Sequence, residues 1–327
     1  MSFITPFRQF RHALCAAMLL VATGAAHAQS SSPLRVVLPV GAGSGVDTIM
    51  RAAQNELSKA LGGQAIVIEN LPGAGGITGT TAIVKAAPDG NTIGVVSNNH
   101  AVNPSVFKKL PYDSINDLTP ISIIGSTPFV LVVNPAKVPA KTAKELQAFL
   151  KARPGTYNYA SSGNGTIIHL AGEMFVDAAG VDVKHIPYKG AGQQVADLIG
   201  GQVELGVVAL PAVQGHLKSG ALRAIGVMGR SRVASLPEVP TLAEQGFPEV
   251  DVAGWFAVVG PAKLPPTQVK RLHDAFVTAF ASAEVRAAMT RQDNVIAPTT
   301  PEAALQFFKS EQARYAVLVK KADIKID

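Results

Sequence analysis

Val36-Val37-Leu38-Pro39-Val40-Gly41-Ala42-Gly43-Ser44-Gly45-Val46-Asp47 is the stretch on which the fold reading turns. Its apolar, β-branched opening suits a buried strand. A glycine-rich turn follows, and then Val46, Ile49, Met50, Ala53, Leu57 and Leu61 recur at helical spacing. The segment therefore reads as strand, glycine loop, helix. Ser44 and Asp47 stand three apart at the helix entrance, as a capping pair or as ligand contacts. A helix start presents unpaired N–H groups and the positive end of the helix dipole. Glycines allow another molecule close to that backbone, so an anion can be held there without a basic side chain.

Three further loops have the same character. Asn70-Leu71-Pro72-Gly73-Ala74-Gly75-Gly76 follows the apolar run 65–68. Ser161-Ser162-Gly163-Asn164-Gly165-Thr166 follows 157–160, and Tyr188-Lys189-Gly190-Ala191-Gly192 follows 183–187. Each precedes a helical pattern. Ser97-Asn98-Asn99-His100 closes another strand as a polar lip. One such loop marks an ordinary strand–helix turn. Four of them suit a ligand site, because open α/β sheets bind at the carboxyl ends of their strands.

At 327 residues the chain exceeds one ordinary core, and two domains are expected. The 47% hydrophobic and 16% charged content excludes a disordered or coiled-coil protein. Arg8 and Arg11, the apolar run 13–25 and Ala26-His27-Ala28 read as an export leader cleaved after Ala28, with a periplasmic destination. The single cysteine, Cys15, lies inside it, so no disulfide or cysteine metal site is expected. Of the net charge of +6, the leader carries two. Lys and Arg are scattered, which argues against nucleic acid as a partner.

Strand and helix patterns alternate from Leu34 to about residue 133, and again after the proline-rich break at 134–139. Two amphipathic helices close the chain, one along Val269, Leu272, Phe276 and Phe280, the other capped by Thr300 with Pro301 at its first position. The expected organisation is a first lobe over 33–131, a second over 132–254, and a return to the first over 255–327. Trp255 is read as core at the second crossing.

Taken together, these motifs resemble the periplasmic solute receptors of the tripartite tricarboxylate transporter family, the Bug receptors. The resemblance rests on 39–47, Glu69 to Gly76, Ala87-Pro88-Asp89-Gly90, 161–166, His185 to Gly190, Asp197 to Val203 and Val239 to Glu244, in family order. It implies a type II periplasmic-binding-protein fold, two α/β lobes joined by two crossing strands. It also implies closure on a small carboxylate, held largely by main-chain groups and water at 40–47 and 161–166. Membrane subunits of such a transporter are the implied protein partners, a sensor kinase is the alternative partner, and the receptor is expected as a monomer.

The expected ligand-facing set is Val40, Gly41, Ala42, Gly43, Ser44, Gly45 and Asp47; Gly73, Ala74 and Gly75; Ser97 and Asn98; Ser161, Ser162, Gly163, Asn164, Gly165 and Thr166; Tyr188, Lys189 and Gly190; and Val208. Many relatives carry an aspartate where this chain has Val208. Valine offers nothing to a ligand ammonium, so an amine-free carboxylate is expected over an amino acid. Tyr188 and Lys189 offer a phenol and a cation, although Lys189 at a helix start also suits the surface. His100 and His169 are read as structural.

An exported hydrolase is the rival reading. Ala42-Gly43-Ser44-Gly45-Val46 lacks both outer glycines of the nucleophile elbow. No His-Glu-x-x-His is present, Val46 breaks the dinucleotide fingerprint, and no Gly-Lys-Ser/Thr appears. Neither enzyme activity, cofactor nor metal is expected.

Overall fold

The computed structural model describes residues 32–322 and 324. The expected leader and its cleavage point lie outside the described residues.

The chain opens as β1 (Leu34–Leu38), α1 (Gly45–Ala60), β2 (Ile66–Asn70), α2 (Ile77–Val84), β3 (Thr92–Ser97), α3 (Asn99–Val106) and β4 (Leu118–Thr127). It continues as β5 (Phe129–Val133), α4 (Ala143–Lys151), β6 (Asn158–Ser161), α5 (Ile167–Ala179), β7 (Lys184–Pro187), α6 (Ala191–Gly200), β8 (Leu205–Ala209), α7 (Gln214–Lys218) and β9 (Arg223–Val227). It ends as β10 (Gly254–Pro261), α8 (Pro266–Ala281), α9 (Ala283–Arg291), β11 (Val295–Ile296) and α10 (Pro301–Lys321).

These strands build two mixed sheets. The first runs β11-β4-β10-β3-β1-β2 and the second β7-β6-β8-β5-β9. β1 pairs parallel with β2 and β3, while β10 pairs antiparallel with β3 and β4. The second sheet repeats that plan: β6 pairs parallel with β7 and β8, and β5 is the antiparallel insert between β8 and β9. The fold is the mixed α/β, two-lobed architecture of periplasmic binding proteins. The chain leaves the first sheet at Thr127 and joins the second at Phe129, earlier than the 131/132 division drawn from sequence. Register explains the position: Phe129–Val133 pairs on both sides within the second sheet.

Helices cover both faces of each sheet. α1 turns Val46, Ile49, Met50, Ala53 and Leu57 inward, where they pack with Phe276 and Phe280 of α8. Each of these side chains larger than alanine contributes roughly 1.5–3 kcal/mol on full burial. A second cluster lies under α6 and α7, around Val130, Val195, Leu198 and Leu217. The largest cluster is shared, running from Val102 of α3 and Phe308 of α10 to Leu146 of α4 and Phe175 of α5. It is the common wall against which both lobes are built. A bond from Lys321 to Asp177, 2.7 Å, ties α10 to α5 on that side. Among the described residues no helix is long and apolar enough to cross a membrane.

Candidate functional site

A cavity of about 300 Å³ opens between the two sheets. The first sheet's side contributes Gly43, Ser44, Gly45, Val46 and Thr48, Ser97, Asn98 and Asn99, Thr127, Gly254, Trp255, Phe256 and Gln292. The second contributes Phe129, Ser162, Thr166, Ile167, Ile168, Ala191, Gln194, Val208, Ala209, Pro211 and Ala212. No lining side chain carries a charge.

The lining includes the first residue of four helices: Gly45 of α1, Asn99 of α3, Ile167 of α5 and Ala191 of α6. Two of these helices flank each sheet, so four positive dipole ends meet one space. At α1 the Ser44 hydroxyl accepts from Asp47 N at 3.3 Å, and Gly43 N donates to Asp47 Oδ2 at 2.9 Å. The N–H groups of Gly45 and Val46 have no partner among the described residues. At α5 the Thr166 hydroxyl caps His169 N at 3.3 Å, and Asn99 Oδ1, from the first lobe, accepts from Ile167 N at 2.9 Å. Ile168 N has no partner among the described residues. Donors without partners at paired helix starts are what a carboxylate needs.

Of the residues expected from sequence, Gly43, Ser44, Gly45, Ser97, Asn98, Ser162, Thr166 and Val208 line this cavity. The rest lie outside the lining, and their contacts show why. Asp47 is buried behind its loop, bonded to Gly43 N, Arg51 and Asn70. Burial pushes its carboxyl up, but the Arg51, Gly43 and Asn70 bonds hold it below the ordinary value. Val40, Gly41 and Ala42 precede the turn on the strand side. Gly73, Ala74 and Gly75 form a short turn held by Asn103, whose amide donates to Gly75 O at 3.1 Å.

Ser161 is fully buried, its hydroxyl 2.6 Å from His185 Nε2. Gly163 O receives the Thr166 hydroxyl at 2.8 Å, and Gly165 N donates to His169 Nδ1 at 3.1 Å. Asn164 belongs to the same loop, outside the lining. The His169 and His185 rings stack at 3.8 Å, so this pair underpins the Ser162–Thr166 rim. Burial, reinforced by His169, pushes His185 down to about 4. Burial and Asp197 push Tyr188 up to about 12, Lys189 is exposed, and Gly190 sits one residue before Ala191. His100 is buried, with Nε2 2.8 Å from Ser114 O.

Asn99, part of the polar lip after β3, also lines the cavity, while sequence reading missed Thr127, Phe129, Gln194, Gly254, Phe256 and Gln292. Thr127 to Phe129 is the first passage between sheets, and Gly254 to Phe256 opens β10 where the second passage ends, which brings both into the cavity lining. A Cβ on Gly254 would stand 2.4 Å from Thr127 Cγ2 and 2.9 Å from Phe129 Cζ, so the two passages approach too closely for a side chain there. Trp255, read as core, is both buried and lining: its N–H donates to Asn98 Oδ1 at 2.9 Å and its indole to Glu311 Oε2 at 3.0 Å. Asn98 in turn donates to Ala253 O and the Tyr315 hydroxyl. Nothing in the sequence pattern marked Gln292, which arrives from the α9–β11 turn.

A two-lobed α/β molecule with an uncharged, amide-rimmed cavity at its strand ends belongs to the class of solute-binding receptors. Residues 49–324 match the family model described as tripartite tricarboxylate transporter family receptor, and the chain belongs to that family. Protein BugT of Bordetella pertussis is 36% identical over 296 residues, covering 90% of each chain. The structure of Rpa4515 from R. palustris with adipate superposes with TM-score 0.86 at 28% identity, over 91% of this chain and 100% of that one. MatC from Rhodopseudomonas palustris, with bound malate, gives 0.81 at 28% identity, over 88% and 99%. The family consists of periplasmic solute receptors, not enzymes. Among the described residues no group of three or more His, Cys, Asp or Glu could hold a metal ion.

Proposed function

We propose that this receptor closes on one small organic carboxylate and delivers it to the membrane subunits of a tripartite tricarboxylate transporter. One observation carries the reading: the first residues of four helices line a cavity without a charged side chain. An anion there is favoured by N–H groups and dipole ends rather than by a lysine or arginine. The adipate and malate held by the two relatives support the same ligand class.

One stretch of the cavity wall is apolar. Phe129, Val208, Ala209, Pro211, Trp255 and Phe256 offer no partner for a ligand ammonium. With no acidic side chain in the lining to pair with an ammonium, the ligand on this reading is an aliphatic or aromatic carboxylate without a free amine. It bridges both lobes, binds the closed form better than the open one, and shifts the population toward closure. The receptor works as a periplasmic monomer, released from its leader after Ala28.

A thermal-shift panel on refolded protein tests this, since a ligand selective for the folded state raises the melting temperature. Aliphatic and aromatic carboxylates are expected to raise it, and their α-amino counterparts to do so far less. A larger shift with glutamate or aspartate than with the matched diacids would overturn the ligand class. Co-purification of the loaded receptor with transporter membrane subunits tests the partner.

A further inference from the structure

Asp293 stands in the turn between α9 and β11, with φ at +53°. The left-handed region disfavours most side chains, and Asp tolerates it better than bulkier ones. The turn is anchored in the first lobe: Asp293 N bonds Thr290 O at 3.0 Å, Asn294 N bonds Met289 O at 2.9 Å, and Asn294 is buried. The carboxylate, by contrast, has both its protein donors in the stretch between β8 and β10. Gln214 Nε2, from the first residue of α7, donates to Oδ2. Ser235 Oγ donates to the same oxygen at 2.5 Å, and Ser235 N to Oδ1 at 3.3 Å.

These contacts lie at the rim of the cavity. Gln292, one residue before Asp293, lines it, as does Ala212, two residues before Gln214. α7 follows β8 and flanks the second sheet, while the α9–β11 turn borders the first. The contact therefore lies across the cleft, away from α10, where Lys321 meets Asp177. A bond at that mouth forms only when the two rims are together. One charged acceptor taking three hydrogen bonds from one opposing surface also has directionality that apolar contact lacks.

We propose that Asp293 is a positioning residue for solute binding, a latch whose carboxylate draws Gln214 and Ser235 across the cleft mouth and holds the lobes closed. It touches no solute. It acts by raising the closed fraction, and so lowers the closing free energy that any bound carboxylate must supply. The proposal rests on the receptor reading above, but its test needs no solute.

Spin labels at Asn55→Cys on α1 and Ala196→Cys on α6, both exposed, report the distance between lobes in refolded, solute-free protein. Asp293→Gly removes the carboxylate and keeps a residue at ease with positive φ. It is expected to move at least a fivefold share of the closed population to the longer distance, with the melting temperature almost unchanged. Gln214→Ala with Ser235→Ala should do the same from the other lobe, and combining all three should add nothing. Asp293→Asn, which keeps an acceptor and tolerates the same φ, should recover part of the closed fraction. An unchanged distance distribution in Asp293→Gly, or additive shifts from the two lobes, would overturn the latch and leave the ligand class to be judged by the thermal-shift panel.

Discussion

Asn99 and Ile167 are joined across the cavity by one hydrogen bond, Ile167 N donating to Asn99 Oδ1 at 2.9 Å. Asn99 opens α3 against the first sheet and Ile167 opens α5 against the second. A neutral amide oxygen thus occupies one of the helix-start donors, beside the unpartnered Ile168 N–H. Removing it with Asn99→Ala loses one bond between lobes, about 1 kcal/mol or roughly fivefold in affinity. Asn99→Asp keeps the acceptor but adds a negative charge to a cavity proposed to hold an anion. Its affinity should fall further than that of Asn99→Ala. Calorimetric titration with the carboxylate giving the largest thermal shift checks the order; equal loss in the two variants would contradict it.

Gly45 separates access from folding. A Cβ there meets nothing within 4 Å, and the backbone does not lie at positive φ. Gly45→Val should therefore fill the rim at a cost of a few tenths of a kcal/mol, if any. Binding should drop by more than tenfold while the melting temperature stays within about 2 °C. Gly43 is a poorer test, because its φ of +76° adds about 1–2 kcal/mol of backbone strain to any side chain. Retained affinity in Gly45→Val would count against this rim as the ligand's seat.

Val208 is buried against the cavity, in register with Val130 of β5. Val208→Asp puts an unpaired carboxyl there and should destabilise the empty receptor by roughly 3 kcal/mol. It should also invert selectivity, weakening plain diacids and admitting amino acids, whose ammonium then finds a partner. Competition between succinate and aspartate, measured by calorimetry, reads the change. Unaltered preference would mean that this wall does not meet the ligand's far end.

His100 makes stability depend on pH. Burial among Tyr112 and Phe308 pushes its pKa down to about 4, from an ordinary 6.5. The unfolded chain therefore takes up a proton first as pH falls. Stability is full above about 6.5 and is lost as pH drops from there toward 4. His185 shifts in the same direction. For His100 alone, the loss between pH 7 and 5 is roughly 2 kcal/mol. Urea unfolding at both pH values should show it, and His100→Gln should flatten the difference. An equal pH dependence in the variant would remove His100 from the account.

Much of the architecture was legible because local chemistry and tertiary demand agree. Ser44, Thr142, Thr166 and Thr300 each cap the helix that follows, as their positions before apolar periodic runs require. The capping pair at Ser44 is offset by one residue, however, since Asp47 reaches back to Gly43 rather than to Ser44. α3 went unread, because Asn103-Pro104 inside it carries a poor helix pattern and the element is held by Asn98 and by packing on α10. α9 also escaped, its break from α8 marked only by Ser282.

The site divides along the same line. Donor groups at loop–helix junctions follow from local sequence, whereas Thr127, Phe129, Gly254 and Gln292 meet only through the way the sheets are threaded. Glycine and serine flag a flexible, polar loop equally well whether it faces ligand or its own lobe. That is why Gly73 to Gly75 looked like the α1 loop and yet lie against Asn103.

The swapped inserts, β10 in the first sheet and β5 in the second, govern the order in which the molecule can be finished. β3 and β4 have no contact partner for their facing edges until Gly254–Pro261 has been made and translocated. The second sheet draws all its strands from one unbroken stretch, Phe129–Val227, so its strands are all available before the last strands of the first sheet are made. A polypeptide cut after Thr127 would thus leave both edges of β4 and one edge of β3 bare, with the amino-terminal half unfinished.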